Sequence, residues 1–160
     1  MHPQCDRVAL RTGREDTVPI QIRTATVEDA KAIKRLICRV GINPFGLDWQ
    51  RFLVAEDAGE IVGCIQVKPY QDGVRELASL AVVPERQGQG VGTLLVNALL
   101  ARDPGELYLM CLDVMGPYYA RFNFGCRTSA HPTQPQAFLS NWTIHGAALW
   151  QPTDHDHAPT

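Results

Sequence analysis

The segment Gln87-Gly88-Gln89-Gly90-Val91-Gly92-Thr93 puts three glycines directly ahead of a run of apolar residues at helical spacing. Glycine lets the backbone come close to a ligand where a Cβ would stand in the way, and lets φ turn positive without strain. The helix that follows leaves its first N–H groups unpaired and turns its positive end toward the loop. Such a segment is suited to an anion, and a pyrophosphate is its natural guest. A tight strand-to-helix turn would use the same glycines without any ligand. Two common phosphate loops do not fit. The dinucleotide pattern GxGxxG needs a third glycine where Thr93 stands, and the strands ahead of the loop read as antiparallel. The GxxxxGK[ST] loop needs a lysine, and Val91-Gly92-Thr93 supplies none.

Other reactive side chains offer less. Cys64 and Cys111 sit in the middle of apolar runs, where cysteine behaves as a small hydrophobe and not as a nucleophile. His155-Asp156-His157 has metal-like spacing but stands among Pro152 and Pro159 in a polar end, so no metal is expected. The five cysteines form no CxxC pair, which argues against a disulfide framework or a zinc site and fits a reducing compartment. The stretch Met1 to Arg14 is polar, unlike a signal peptide, and no apolar run reaches the roughly 18 residues of a membrane span. A cytoplasmic protein without membrane contact is expected. A net charge of -2 with scattered Lys and Arg gives no footprint for nucleic acid.

The elements that must position the loop can be read from periodicity. With 160 residues, 45% of them hydrophobic and 20% charged, the chain fits one globular domain. Residues 1–17 and 151–160 read as flexible tails and 18–150 as the domain. Val18 to Arg23 alternates as a strand, and Thr26-Val27-Glu28-Asp29 reads as a capping box that opens a helix. Ala30, Ile33, Ile37 and Val40 form that helix's apolar stripe, Gly41 ends it, and residues 42–50 connect onward. Phe52 to Glu56, Ile61 to Val67 and Val74 to Val83 then make an antiparallel meander with turns at Asp57-Ala58-Gly59-Glu60 and Gln71-Asp72-Gly73. After the loop, Val91, Leu94, Leu95, Ala98 and Leu99 mark an amphipathic helix that Pro104-Gly105 stops. Leu107 to Leu112 suits a buried strand, Pro117 to Phe122 a short helix, and Ala137 to Trp142 a further strand. The expected fold class is α/β (α+β), a mixed and mostly antiparallel central sheet flanked by helices.

With the elements in this order, the chain resembles the GNAT superfamily of N-acetyltransferases. The pyrophosphate loop of that superfamily runs (Gln/Arg)-x-x-Gly-x-(Gly/Ala) after a strand ending in Val-x-Pro. Gln87, Gly90 and Gly92 match behind Val82-Val83-Pro84, and the resemblance covers about residues 18 to 127. It implies a sheet splayed at an acetyl-CoA site, with acetyl-CoA as cosubstrate. It also implies a pantetheine arm alongside the long strand at Leu80, Ala81 and Val82, and a pyrophosphate held by Gln87, Gly88, Gln89, Gly90, Val91, Gly92 and Thr93.

Transfer to an alkylamine, whose pKa is about 10, needs the amine to lose a proton before it attacks the thioester. Glu76 stands eleven residues before Gln87, the spacing of the catalytic glutamate in the histone acetyltransferase branch of the superfamily. A solvated residue among the charges of Asp72 and Arg75 is the alternative reading of Glu76. Asp113, at the end of a buried strand, is a second candidate base, as in some relatives. The family's Tyr-x-x-x-Gly-Phe segment corresponds to Tyr119-Ala120-Arg121-Phe122-Asn123-Phe124, which makes Tyr119 the candidate acid for the departing thiolate and Tyr118 its rival. Asn123 replaces the family glycine, and Asn is the residue next best able to take a positive φ.

The resemblance thus implies an enzyme that acetylates a primary amine directly in a ternary complex. The acceptor is expected to be a small molecule or amino acid. A weak likeness to amino-acid N-acetyltransferases of the glutamate-acetylating kind runs through Glu76 to Val82 and Tyr118 to Phe124. A non-catalytic coenzyme A sensor on the same fold is the alternative. The oligomeric state is not legible, and a homodimer stays open.

Overall fold

The computed structural model describes residues 19–71, 73–127 and 147–152. In these residues seven strands form one sheet in the order β1-β2-β3-β4-β5-β7-β6. The strands are β1 (Gln21–Thr24), β2 (Phe52–Asp57), β3 (Glu60–Pro69), β4 (Arg75–Val82), β5 (Tyr108–Leu112), β6 (Phe124–Arg127) and β7 (Ala147–Pro152). All neighbours run antiparallel except β4 and β5, which are parallel. Helices α1 (Ala30–Arg39), α2 (Val91–Arg102) and α3 (Gly116–Ala120) complete the described architecture with several single 3₁₀ turns. None of the described helices is long and apolar enough to cross a membrane.

β2 and β3 are buried on both faces, so alternate residues feed two different cores. Phe52, Val54 and Cys64 pack with Ile33, Leu36 and Ile37 of α1. Leu53, Ala55, Ile65 and Val67 pack with Val91, Leu95, Val96 and Leu99 of α2. The sheet is therefore the middle layer of a three-layer sandwich, and the glycine loop joins the middle layer to the α2 layer.

The expected meander and both long helices are present. Gly41, at φ 75°, ends α1 as its position suggests. The expected strand at Ala137 to Trp142 lies outside the described residues, as do residues 1–17 and His155-Asp156-His157. The C-terminal boundary differs from the expectation: Gln151 and Pro152 belong to β7, paired with Gly125 and Phe124 of β6, and not to a tail.

The capping box at Thr26 carries a testable electrostatic load. Asp29 accepts the Thr26 backbone N–H at 2.7 Å and forms an ion pair with Arg23 at 2.7 Å. Arg23 also reaches Glu56 of β2, at 2.6 Å, and so ties the α1 entry to the sheet. The Arg23 guanidinium, helped by the Thr26 N–H and opposed by burial, lowers the Asp29 carboxyl from an ordinary 3.8 to about 2. The unfolded chain binds this proton first as pH falls, so the stabilisation is complete above about pH 4 and disappears toward pH 2. Asp29→Asn is expected to cost about 2 kcal/mol at neutral pH. The gap from wild type in urea unfolding is expected to narrow through that acid window, and a pH-independent gap would exclude the carboxylate as its source.

Candidate active site

The two edges of β4 are treated unequally. On one side β3 pairs with it from Pro69 opposite Arg75 to Gly63 opposite Val82. On the other side β5 pairs only at Glu76 with Tyr108 and at Leu77 with Leu109. Beyond Leu77 the two parallel strands part, and the β4 edge that faces β5 has no strand partner among the described residues. A backbone edge with free N–H and C=O groups is a template for an extended amide-containing ligand.

A bulge in β4 accompanies the parting. Ala78 is opposite Gln66 and Ala81 opposite Cys64, so β4 holds one residue more than β3, with Ser79 at φ 56°. A left-handed serine costs on the order of 1 kcal/mol or more, and needs support from its surroundings. Gln66, fully buried on β3, gives that support by donating from Nε2 to Ser79 Oγ at 2.9 Å. The Cys64 thiol lies 3.8 Å from the Ser79 carbonyl oxygen, and burial pushes it up to about 12. A thiol held so firmly protonated is no nucleophile, as its apolar setting in the sequence suggests.

The V between the strands opens into a cavity of about 610 Å³. Leu80 and Val82 of β4 line it, while Ala81, expected beside them, packs in the α1-side core and does not line it. Gln87, Gly88, Gly90, Gly92 and Thr93 form its end wall. Gly88 at φ 73° and Gly90 at φ 85° supply the left-handed turns that bring the chain from strand to helix. The first α2 hydrogen bond runs from Leu94 N–H to the Gly90 carbonyl at 3.0 Å, so the N–H groups of Val91, Gly92 and Thr93 precede the helical ladder. Within the expected loop set, Gln89 and Val91 do not line the cavity: the Gln89 amide donates to the Glu85 carbonyl at 2.9 Å, and Val91 is buried under α2. The Gln87 amide donates back to the Val82 carbonyl at 2.9 Å, fastening the loop to β4.

Glu76 is half-buried at the closed end of the V, opposite Lys68 on β3, and accepts a hydrogen bond from the Tyr70 phenol. It shares a sheet face with Gln66 and Lys68, whose Nζ donates to the Phe45 carbonyl at 3.0 Å. The connection 42–50 therefore lies over the face that carries Glu76. Asp113 opens a 3₁₀ turn four residues past Leu109, toward the diverging end of the V.

The two tyrosines divide in a way the motif did not indicate. Tyr119 is buried in the α2-side core, its ring 5.0 Å from that of Tyr118 and 6.3 Å from that of Phe124. Burial above all, then Cys111 and Tyr118, pushes its phenol well above the usual range, so it stays protonated. Cys111 is two residues past Leu109, the last β5 residue in register with β4. Tyr118, not Tyr119, is the phenol on the cavity wall. Its hydroxyl would sit 2.9 Å from a Cβ at Gly92, so a side chain at position 92 would have to displace the phenol. Asn123 takes φ 63°, the left-handed conformation expected of it.

Sequence reasoning missed the remaining cavity residues, Arg86, Met115 and Arg121. Arg86 sits one residue outside the glycine motif, with its charge answered by Asp57 at the end of β2. Arg121 is three residues after Tyr118, a helical spacing that signals a shared face.

Comparison with known proteins bears on this geometry. A family model described as an acetyltransferase (GNAT) domain matches residues 48–125. An uncharacterised N-acetyltransferase of Chlorobaculum tepidum is 33% identical over 107 residues, covering 58% of this chain and 68% of that protein. In fold, the chain is similar to a Mycobacterium tuberculosis protein solved with CoA and NLQ, with a TM-score of 0.67 at 22% identity over 82% of this chain and 98% of the other. It is also similar to N-acetylglutamate synthase of Neisseria gonorrhoeae complexed with coenzyme A and N-acetyl-glutamate, with a TM-score of 0.67 at 20% identity. That match covers 84% of this chain and 35% of the synthase.

Proposed function

Because this chain belongs to the GNAT family of N-acetyltransferases, with acetyl-CoA as cosubstrate, we propose that it acetylates the primary amine of a small molecule or amino acid by direct transfer. The parting of β4 from β5 beyond Leu77, ending at the glycine loop, is the observation that carries this reading. It offers a groove with free backbone groups for a pantetheine arm and a wall of N–H groups for phosphates. Neighbours in fold bound to CoA with NLQ, or to coenzyme A with N-acetyl-glutamate, support an amino-acid amine as the first acceptor to test.

In the proposed reaction the acceptor approaches under the connection 42–50, and Glu76 takes a proton from its ammonium directly or through one water. The amine nitrogen bonds to the thioester carbonyl carbon. The tetrahedral intermediate collapses, breaking the C–S bond; the thiolate takes a proton from Tyr119, the surplus proton on nitrogen passes to the resulting tyrosinate, and Glu76 releases its own proton to solvent, leaving a neutral amide and a free thiol. Orientation of two bound substrates does much of the remaining work, and no covalent enzyme intermediate is needed. Asp113 is the reserve candidate for the base, though it stands at the diverging end of the V. A cytoplasmic setting, with no nucleic acid or membrane partner, belongs to the same proposal.

The test is a screen of amino acids, polyamines, aminoglycosides and peptide amines, following free thiol from acetyl-CoA. One acceptor with saturable turnover supports the reading, and thiol release that no amine accelerates overturns it.

Tyr119→Phe is expected to lower kcat by about 10²-fold, the low end of general acid–base effects, since a thiolate of ordinary pKa about 8.5 leaves readily. Affinity for acetyl-CoA is expected to hold. If Tyr118→Phe lowers kcat instead and Tyr119→Phe does not, the acid is the phenol on the cavity wall.

A further inference from the structure

The cavity holds two arginines in different electrostatic situations. Arg86 is paired with Asp57, which is only 9% exposed, so its charge is largely answered within the protein. Arg121 has no carboxylate partner among the described residues. Its guanidinium meets neutral groups alone: the Tyr118 carbonyl at 3.4 Å, the Thr93 hydroxyl at 3.5 Å, and the faces of Tyr118 and Phe122 at 4.7 and 5.8 Å. Stacking restrains this long side chain beside the first turn of α2, where its planar donors are preorganised for a phosphate.

Tyr118 adds a second unused donor at the same level. Its hydroxyl is buried, has no hydrogen-bond partner among the described residues, and lies over Gly92. Buried hydroxyls are nearly always paired, so one left over beside a cavity points to a ligand. Both groups face the glycine loop across the cavity, from α3 and the residue after it.

We propose that Tyr118 and Arg121 form a second jaw of the coenzyme site, closing on the diphosphate from the side opposite the glycine loop. The loop offers backbone N–H groups and no charge of its own, so Arg121 supplies the unanswered cation the diphosphate needs. The stacked contact couples the two: removing the guanidinium also frees the ring that carries the hydroxyl. Tyr118 and Arg121 are binding residues in this account, and Tyr119 keeps the proton-transfer role. The inference rests on the coenzyme reading above.

The experiment measures dissociation constants of wild type, Arg121→Gln, Arg121→Lys and Tyr118→Phe by calorimetry. The probes are acetyl-CoA, 3′-dephospho-acetyl-CoA and S-acetylpantetheine, which lacks phosphate. Arg121→Gln is expected to weaken both phosphate-bearing thioesters about ten- to a hundredfold and to leave S-acetylpantetheine within about twofold, as for loss of a charge-assisted contact. Arg121→Lys is expected to recover part of the loss, and Tyr118→Phe to show a smaller loss with the same ligand dependence. Equal effects on all three ligands, or none, would overturn the jaw. A loss confined to acetyl-CoA would move Arg121 to the 3′-phosphate and overturn the diphosphate assignment. Wild type that binds acetyl-CoA no better than S-acetylpantetheine would overturn the coenzyme reading itself, a result distinct from the others.

Discussion

Glu76→Gln is expected to reduce turnover at neutral pH by about 10²- to 10⁴-fold, the range a positioned general base supplies, or roughly 2.7 to 5.4 kcal/mol of barrier. The amide keeps the shape and the ability to accept from the Tyr70 phenol, so the local hydrogen bond survives while the basic function is lost. Acetyl-CoA affinity is expected to stay near that of wild type, because Glu76 lies at the closed end of the V, away from the glycine loop. Raising the pH is expected to restore part of the rate, since more of the amine then arrives already deprotonated. The measurement is a pH–rate profile of both proteins with one confirmed acceptor. Parallel profiles with near-equal rates would remove Glu76 from the chemistry and turn attention to Asp113.

The second large effect is on binding. Gly90→Glu is expected to weaken acetyl-CoA by about two to three decades, since a like charge set against phosphates costs several kcal/mol and each 1.4 kcal/mol is tenfold. Apart from its chain neighbours, no heavy atom of the described residues lies within 4 Å of a Cβ built at Gly90, so the side chain does not enter the core. The φ of 85° does impose strain on any L-residue, of about 1 to 2 kcal/mol. Gly90→Ala carries that strain without the charge and serves as the reference. Calorimetric affinities beside thermal unfolding then separate the two contributions. Equal losses in both variants would assign the effect to backbone geometry, and a folded Gly90→Glu protein of unchanged affinity would put the phosphates elsewhere.

The sequence was most legible where one local rule decides the outcome. Helix α2 follows from the recurrence of Val91, Leu95 and Leu99, although Leu94 of the expected stripe is exposed and Val96 is buried in its place; the loop follows from its glycines, the α1 entry from Thr26 and Asp29, and the positive φ of Asn123 from the small energetic cost that residue pays there. Legibility fell where the deciding partner is distant along the chain. Nothing in a serine announces φ 56°; the bulge at Ser79 depends on the amide of Gln66, thirteen residues away on another strand. The tyrosine pair shows the same limit. Spacing identifies two adjacent phenols, but which one faces the cavity depends on how α3 docks, and that docking is set by Phe124, Phe122 and the α2 surface. β7 was missed because its pairing with β5 and β6 joins segments separated by 19 residues or more, beyond the reach of any local pattern.

The place of β7 in the sheet also bears on how the protein is made. Of the described strands it leaves the ribosome last, yet it lies between β5 and β6. Before it emerges, β5 has two registered pairs with β4 on one side and, among the described residues, no partner on the other, and β6 has no described strand neighbour. Bare edges invite pairing with other nascent chains, and non-local pairing forms slowly. The β1–β4 meander, the glycine loop and α2 can assemble while translation continues, so one wall of the cleft exists early. The opposite wall, carried by β5 and the α3 segment, gains its outer support only once residues 147–152 have emerged. A ribosome that stalls before residue 147 would therefore hold out half an active site together with an unprotected sheet edge, a species for chaperones to shield.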